Sequence, residues 1–320
     1  MSIFDNSLSR IKDGRNGLNK GIPHNINNLE KYIPSINKGM YYLIGADTGS
    51  GKTAFVDDLF LYNTFDYYMQ NKDKMKLNVN YFSLEIDATS KIVKGMVRKL
   101  LLDYGIANID TNYILSRGKN RISDEIYQKV LGTRKYFEEL EDVVKIYDNS
   151  VSPTDIKKIL KYWSDKYYID YQNRIVPKNN NHYIINVIDH IGLIKNEPGM
   201  NKKQSIDHLS SDILIPTRNM FGMINVMVQQ LNRNTTSDGR KDEAIAPMLS
   251  DFKETGSTQE DANMVLALFN PHRYGMTTYK TVVIDKTFRS CLVLKNREGE
   301  AGSESALKMH GPSGHFIDWK

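Results

Sequence analysis

Between residues 41 and 60 the chain reads YYLIGADTGSGKTAFVDDLF, an apolar run that ends in a loop of small residues followed by Lys52 and Thr53. A phosphate-binding loop takes Gly, four residues, then Gly-Lys-Ser/Thr. Gly51, Lys52 and Thr53 fit this spacing, but Ala46 holds the first glycine position and a glycine, Gly45, sits one place early. Alanine there adds one methyl group and still makes the turn if its φ is negative. On this reading the backbone N–H groups of Ala46, Asp47, Thr48, Gly49, Ser50 and Gly51 cradle phosphates at the start of a helix, where the dipole favours negative charge. Lys52 reaches the β- and γ-phosphates of ATP, and the Thr53 hydroxyl ligates Mg²⁺.

Hydrolysis also needs a carboxylate to organise the metal and a group to activate water. The apolar run IINVIDHIGLI carries Asp189 at its end, and VNYFSLEI carries Glu85 in the same position. Carboxylates at the carboxyl ends of parallel strands face the crevice where such sheets bind ligands. Lys52, Thr53, Asp189 and Glu85 together make a coherent set for nucleotide hydrolysis. His190, which follows the aspartate, reads as a packing residue.

The elements that must position these groups come next. Apolar runs begin at Met40 and recur as MYYLIG, VNYFSL, IINVID, MINVMVQ, MVLALF, TVVI and SCLVLK, the first few separated by helical patterns such as TAFVDDLFLYNTFDYYMQ and SPTDIKKILKYWSDKYY. In the second helix Pro153 takes a first-turn position after Ser152, an N-cap residue. Near-continuous apolar strands alternating with helices predict an α/β fold whose central, mostly parallel sheet is covered on both faces. The last third has strands without long helices and predicts an antiparallel edge. Residues 1–38, polar and rich in Asn, Lys and Gly with a short amphipathic piece around Ile11, read as an arm or linker, leaving 39–320 as the domain. The segments 177–182 and 235–247 read as exposed loops.

Composition excludes other classes. With 40% apolar and 25% charged residues in 320, the chain is an ordinary globular one. The net charge, 43 − 38 = +5, permits an anionic partner without demanding one. A single cysteine, Cys291, rules out an internal disulfide framework, suits a reducing compartment and reads as a buried strand residue. No run approaches the ~18 apolar residues that span a bilayer, and the N-terminus lacks a signal-peptide pattern. A cytoplasmic protein with no membrane partner is expected.

The loop ADTGSGKT, followed in order by FSLE (82–85), QLNR (230–233), SDFKETGSTQEDAN (250–263) and KNREG (295–299), resembles the C-terminal motor domain of DnaB-type hexameric replicative helicases, in the RecA-like group of phosphate-binding-loop ATPases. VVKIYDNSVSPTDIKKIL and the closing HGPSGHFIDW are similar too, so the resemblance covers about residues 14–320. It implies that Glu85 activates water and Asp189 organises the metal. Gln230 would sense the γ-phosphate, while Lys295 and Arg297 would reach across a subunit interface into the neighbour's ATP. Lys253, Glu254 and Gly256 would contact the DNA backbone in a central channel, with Arg240 and Lys241 as additional charge nearby. The expected assembly is a homo-hexamer acting on single-stranded DNA, with a primase or helicase loader as further partner classes.

Several features depart from that pattern. Material around 105–137 and 164–182 lengthens the stretch between Glu85 and Asp189, Pro216 should kink or end its helix, and Asn263 and His190 replace a common acid and a common tyrosine. The helical collar that engages primase in relatives has no counterpart before residue 14, so primase binding does not carry over. Its lack, with heavy Asn, Lys, Ile and Tyr usage, points to a phage or mobile-element source, which would place the protein in a host cytoplasm. Two other readings share the catalytic residues: a RecA-like strand-exchange ATPase, and a ring-shaped DNA-binding subunit with slow hydrolysis. The order of QLNR, SDFKETGS and KNREG favours the helicase.

Overall fold

The structure is a computed structural model and describes residues 3–17, 19–170, 175–231, 245–255 and 257–320. Its centre is a nine-stranded sheet, whose strands we number in chain order: β1 (Tyr41–Ala46), β2 (Lys76–Ser83), β3 (Val144–Tyr147), β4 (His182–Asp189), β5 (Ile224–Gln230), β6 (Met264–Phe269), β7 (Phe288–Asn296), β8 (Ser303–His310) and β9 (His315–Asp318). Across the sheet the order is β9-β8-β7-β6-β1-β5-β4-β2-β3. The six strands from β6 to β3 are parallel, and β7, β8 and β9 add an antiparallel edge. This is the α/β architecture expected from the sequence.

The continuous apolar runs follow from burial on both faces. Tyr42, Ile44 and Ala46 of β1 join one core, with the helix after the loop, while Tyr41 and Leu43 join the other. Alternate residues of a strand point to opposite faces, so a strand covered on both sides keeps no polar alternation. TVVI does not enter this sheet; Val282–Val283 pairs with Thr278–Tyr279 in a separate hairpin. Three sheet strands outside the predicted runs, β3, β8 and β9, lie at or near its two edges, where burial is partial and the apolar signal correspondingly weak.

Packing of the domain begins before residue 38. Ile22, Ile26, Leu29, Ile33 and Ile36 are all buried in the core that holds the loop-following helix, and Asp318 in β9 accepts backbone N–H bonds from Asn27 and Asn28. The arm assigned to 1–38 is therefore part of the folded body from Ile22 onward, because its isoleucines supply an apolar face that the composition as a whole obscures. A helix, Ile3–Arg15, precedes it with Ile3, Phe4, Leu8 and Ile11 exposed.

Two helices are widened by π turns. The helix that leaves the loop runs as Lys52–Val56, a π-helical Asp57–Tyr62 and Asn63–Gln70. The one before β5 runs as Lys202–His208, a π-helical Leu209–Leu214 and Ile215–Phe221. Pro216 thus does not end its helix, since the π turn ahead of it absorbs the missing N–H donor. Ser152 caps Pro153–Tyr167 through a reciprocal capping box with Asp155. The lengthened stretch folds as helices Thr111–Ile114 and Asp124–Gly132 and a hairpin of Tyr168–Asp170 with Ile175–Pro177. Cys291 is buried in β7 and burial pushes its thiol up to about 12. Among the described residues no helix is long and apolar enough to cross a membrane.

Candidate nucleotide site

The loop starts where β1 ends. Gly49 (φ 78°) and Gly51 (φ 95°) are left-handed, whereas Ala46 is not, which is the condition under which alanine tolerates the first position. Gly51 caps the helix, and a Cβ there would lie 2.7 Å from the Met309 sulfur of β8. Gly45 has a different task. A Cβ on it would lie 2.4 Å from the Phe252 ring, so the early glycine makes room for a buried phenylalanine from the segment Leu249–Thr255. Two further residues hold the loop from outside: the Tyr274 hydroxyl donates to Asp47, and buried Arg289 donates through Nε to the Ser50 carbonyl at 2.8 Å. Arg289 also bonds the carbonyls of Lys286 and Phe288, so a guanidinium sits behind the loop with its bonds directed to main-chain oxygens.

The carboxylates stand on neighbouring strands. Asp189 ends β4 directly opposite Ser83 of β2, and Glu85 follows two residues later. Asp189 is 2% exposed. Its Oδ2 accepts a bond from the Tyr81 hydroxyl at 3.2 Å, and its Oδ1 is buried without a hydrogen-bond partner among the described residues. Burial raises its pKa and nearby Asp57 adds to the rise, with Lys91, Thr53 and Tyr81 opposing. A half-satisfied buried carboxylate beside the Thr53 hydroxyl suits a hard cation with oxygen ligands. Among the described residues no group of three or more His, Cys, Asp or Glu could hold a metal ion by itself. Mg²⁺ bound here would take its remaining ligands from phosphate and water, as it does in nucleotide sites.

Glu85 has its side chain 50% exposed, open to the crevice, with His190 Nε2 at 3.9 Å from Oε2. His190 accepts the Gly192 N–H through Nδ1 at 3.2 Å, which leaves the proton on Nε2 and aims a donor at Glu85. Burial and then Lys52 lower its pKa and favour this neutral form. His190, its side chain 13% exposed, is packed at the border of the site. Gln230 pairs in register with Ala46 and is exposed beside the loop. Its neighbour Gln229 is buried and donates to the Phe252 carbonyl at 3.3 Å, tying β5 to the segment that carries Lys253 and Glu254.

Lys295 and Arg297 do not join this group. The Arg297 N–H donates to the Asn263 carbonyl and the Asn263 N–H to that of Tyr41, so Arg297 is level with the first residue of β1. Ala46 is 46 − 41 = 5 residues further, about 16 Å along a strand. Both cations rest on the end of the helix Thr258–Asp261: Lys295 Nζ bonds the Gln259 and Glu260 carbonyls at 2.8 and 2.7 Å, and Arg297 bonds that of Glu260 at 2.7 Å. The β6–β7 register shifts between Val293 and Lys295, an irregularity of the kind that re-aims a side chain. Lys253 and Glu254 belong to the 3-10 segment Leu249–Thr255, and their side chains lie outside the described residues. So do Gly256, Arg240 and Lys241, and the Asn232 and Arg233 end of QLNR.

One family description matches residues 21–316 of the chain: DnaB-like helicase C-terminal domain. The chain belongs to this DnaB-like family. The replicative DNA helicase DnaB of Mycoplasma pneumoniae is 26% identical over 289 residues, 88% of this chain and 54% of that protein. That of Helicobacter pylori is 27% identical over 262 residues, covering 80% and 45%. The chain thus spans about half the length of the curated relatives it matches. Among solved structures, one ATPase domain superposes over 100% of both chains with a TM-score of 0.76 at 20% identity. A DnaB-like replicative helicase, solved with its interactions with primase, gives 0.71 at 21% over 94% of this chain and 64% of its own. The DnaB-like fold is therefore shared at low identity.

Four residues at the site escape the motifs. Tyr81, Asp57, Lys91 and Arg289 are all buried close to the loop or to Asp189. Asp57 carried a readable signal, because it is a charge on a helix among apolar neighbours. Tyr81 and Arg289 did not, since a tyrosine in a strand and an arginine near a turn are ordinary.

Proposed function

We propose that this chain is the motor of a replicative DNA helicase, which hydrolyses ATP with Mg²⁺ and moves along single-stranded DNA as a homo-hexameric ring. The observation that carries the reading is the division of the functional groups between two edges of one sheet. Lys52, Thr53, Asp189 and Glu85 converge at the carboxyl edge, while Lys295, level with Leu43, and Arg297, level with Tyr41, stand about 10 and about 16 Å short of Ala46 along the strands. A cation pair so placed, away from its own loop, suits a nucleotide held by another protomer.

Within the site the loop amides and Lys52 hold the phosphates, and Glu85, exposed to the crevice, takes the proton of the attacking water. Thr53 and Asp189 would hold Mg²⁺, which when bound would supply neutralising charge for the phosphates. Gln230, beside the loop, and Gln229, bonded to Phe252, give the phosphate state a route to Lys253, Glu254 and Gly256. Contacts from these to the DNA backbone carry no base information, so binding is sequence-independent and salt-sensitive. A helicase loader is the further partner class that this reading brings.

The test is ATP hydrolysis by the purified chain with and without single-stranded DNA, alongside its assembly state and strand separation on a forked duplex. A hexamer with DNA-stimulated hydrolysis and unwinding is expected. A filament that exchanges strands would replace the reading with a recombinase.

A further inference from the structure

A buried polar chain runs from Asp189 into the protein beneath the loop-following helix. Tyr81 is fully buried and its hydroxyl donates to Asp189 Oδ2 at 3.2 Å. Beside it Lys91 Nζ stands 4.0 Å from the centre of the Tyr81 ring and bonds both oxygens of Asp57 at 2.9 and 3.1 Å. The Lys91 and Asp57 side chains are 1% and 6% exposed. Asp57 belongs to the π turn of the helix that begins at Lys52, one turn beyond Thr53, and Lys91 to the helix Ala88–Tyr104 that follows Glu85. Such a pair is costly to bury and is weak grounds for stability, which invites a question about what it does for its neighbours.

We infer that Tyr81 is a positioning residue for the metal site: it occupies one oxygen of Asp189 so that the other is left for the cation, and the Asp57–Lys91 pair keeps it there. A tyrosine hydroxyl has a single proton to donate. Two carboxylates lie within its influence, and that proton can serve only one of them fully. Lys91 answers Asp57 with both its oxygens engaged, which leaves Asp189 as the acceptor. The other oxygen, Oδ1, is buried without a hydrogen-bond partner among the described residues, on the carboxylate that the Thr53 hydroxyl also reaches. With Oδ2 engaged, the carboxylate cannot rotate freely, and a preset ligand binds a cation better than a mobile one.

The inference rests on Asp189 being the metal-organising carboxylate, and the experiment separates the two. Binding of a fluorescent ADP analogue to the full chain is measured in EDTA and across a Mg²⁺ titration. If wild-type binding does not respond to Mg²⁺, the underlying site reading fails. If it does, Tyr81→Phe should raise the Mg²⁺ concentration for half-maximal enhancement on the order of 10-fold, the usual effect of losing an outer hydrogen-bond partner, with affinity in EDTA unchanged. Lys91→Met should shift the titration in the same direction, because an unanswered Asp57 then competes for the Tyr81 proton. Adding Asp57→Ala removes the competitor and should return the curve to wild type, an outcome that mere loosening of the fold would not produce. An unchanged Mg²⁺ titration in Tyr81→Phe, or an equal loss in EDTA, overturns the role of Tyr81. A double variant that keeps the shift of Lys91→Met overturns that of the pair.

Discussion

At the carboxyl edge of the parallel strands, Lys52, Lys91 and Arg289 are buried, and Lys91 and Arg289 are bonded to atoms within the chain. At the other edge, Lys295 is half-buried and Arg297 exposed, and both rest on the carbonyls of Gln259 and Glu260. Both regions use the same few cationic residue types on one sheet. The difference lies in what each cation has to meet. A loop that must hold phosphates needs its supports in place beforehand, so the fold surrounds it. On the proposed function, a finger that meets another protomer's phosphates needs a resting place that it can leave, and two main-chain carbonyls at a helix end provide one.

The largest effect should come from the buried edge. Lys52→Ala should abolish ATP hydrolysis in a steady-state assay, because Lys52 is the residue placed to hold the β- and γ-phosphates; wild-type turnover would remove the loop from the account. Glu85→Gln should instead bind nucleotide normally and turn over slowly, since only the base is lost.

Stability should divide buried cations from exposed ones next. Arg98, 4% exposed, bonds buried Asp58 at 2.7 Å and Asp66 at 3.0 Å. Arg98→Met strands Asp58 and should lower the unfolding free energy by about 3–5 kcal/mol, read by denaturant titration. The His315 ring beside Asp58 is a second partner that would reduce the loss. Arg297→Ala, at an exposed position, should stay within about 0.5 kcal/mol of wild type. Equal losses would mean that a buried, paired cation and an exposed one resting on carbonyls contribute alike.

The smallest effect concerns DNA. Lys253→Ala should weaken binding to all single strands alike and reduce the log–log salt slope by roughly 0.7. A change confined to one base composition would place the contact elsewhere.

How much of this was readable depends on whether a residue acts through spacing or through packing. The parallel core was legible because strands covered on both faces must be apolar throughout, as MYYLIG and MVLALF are. Lys52, Thr53, Asp189 and Glu85 were legible because phosphate and metal chemistry restricts the residue types at a loop and at strand ends. Gly45 was visible but its reason was not: the Phe252 ring that needs the space is 252 − 45 = 207 residues away. The isoleucines of 22–36 were hidden by polar surroundings, and β8 and β9 by the partial burial of an edge. Tyr81, Asp57 and Lys91 come from three separate elements, and nothing local to any one of them reveals that they meet.

The claim at the centre of the account is that Arg297 acts on a neighbour's nucleotide. It is tested most directly by mixing Arg297→Ala protein with Lys52→Ala protein and measuring ATP hydrolysis after proven co-assembly. Alone, Arg297→Ala should bind ATP normally and hydrolyse it on the order of 10³–10⁵-fold more slowly, and Lys52→Ala should be inactive. In mixed rings some interfaces join the intact loop of an Arg297→Ala subunit to the intact finger of a Lys52→Ala subunit. For random mixing at equal amounts these are about a quarter of all interfaces, so partial recovery is expected where neighbouring sites act independently. Hydrolysis at the wild-type rate by Arg297→Ala alone would contradict the account.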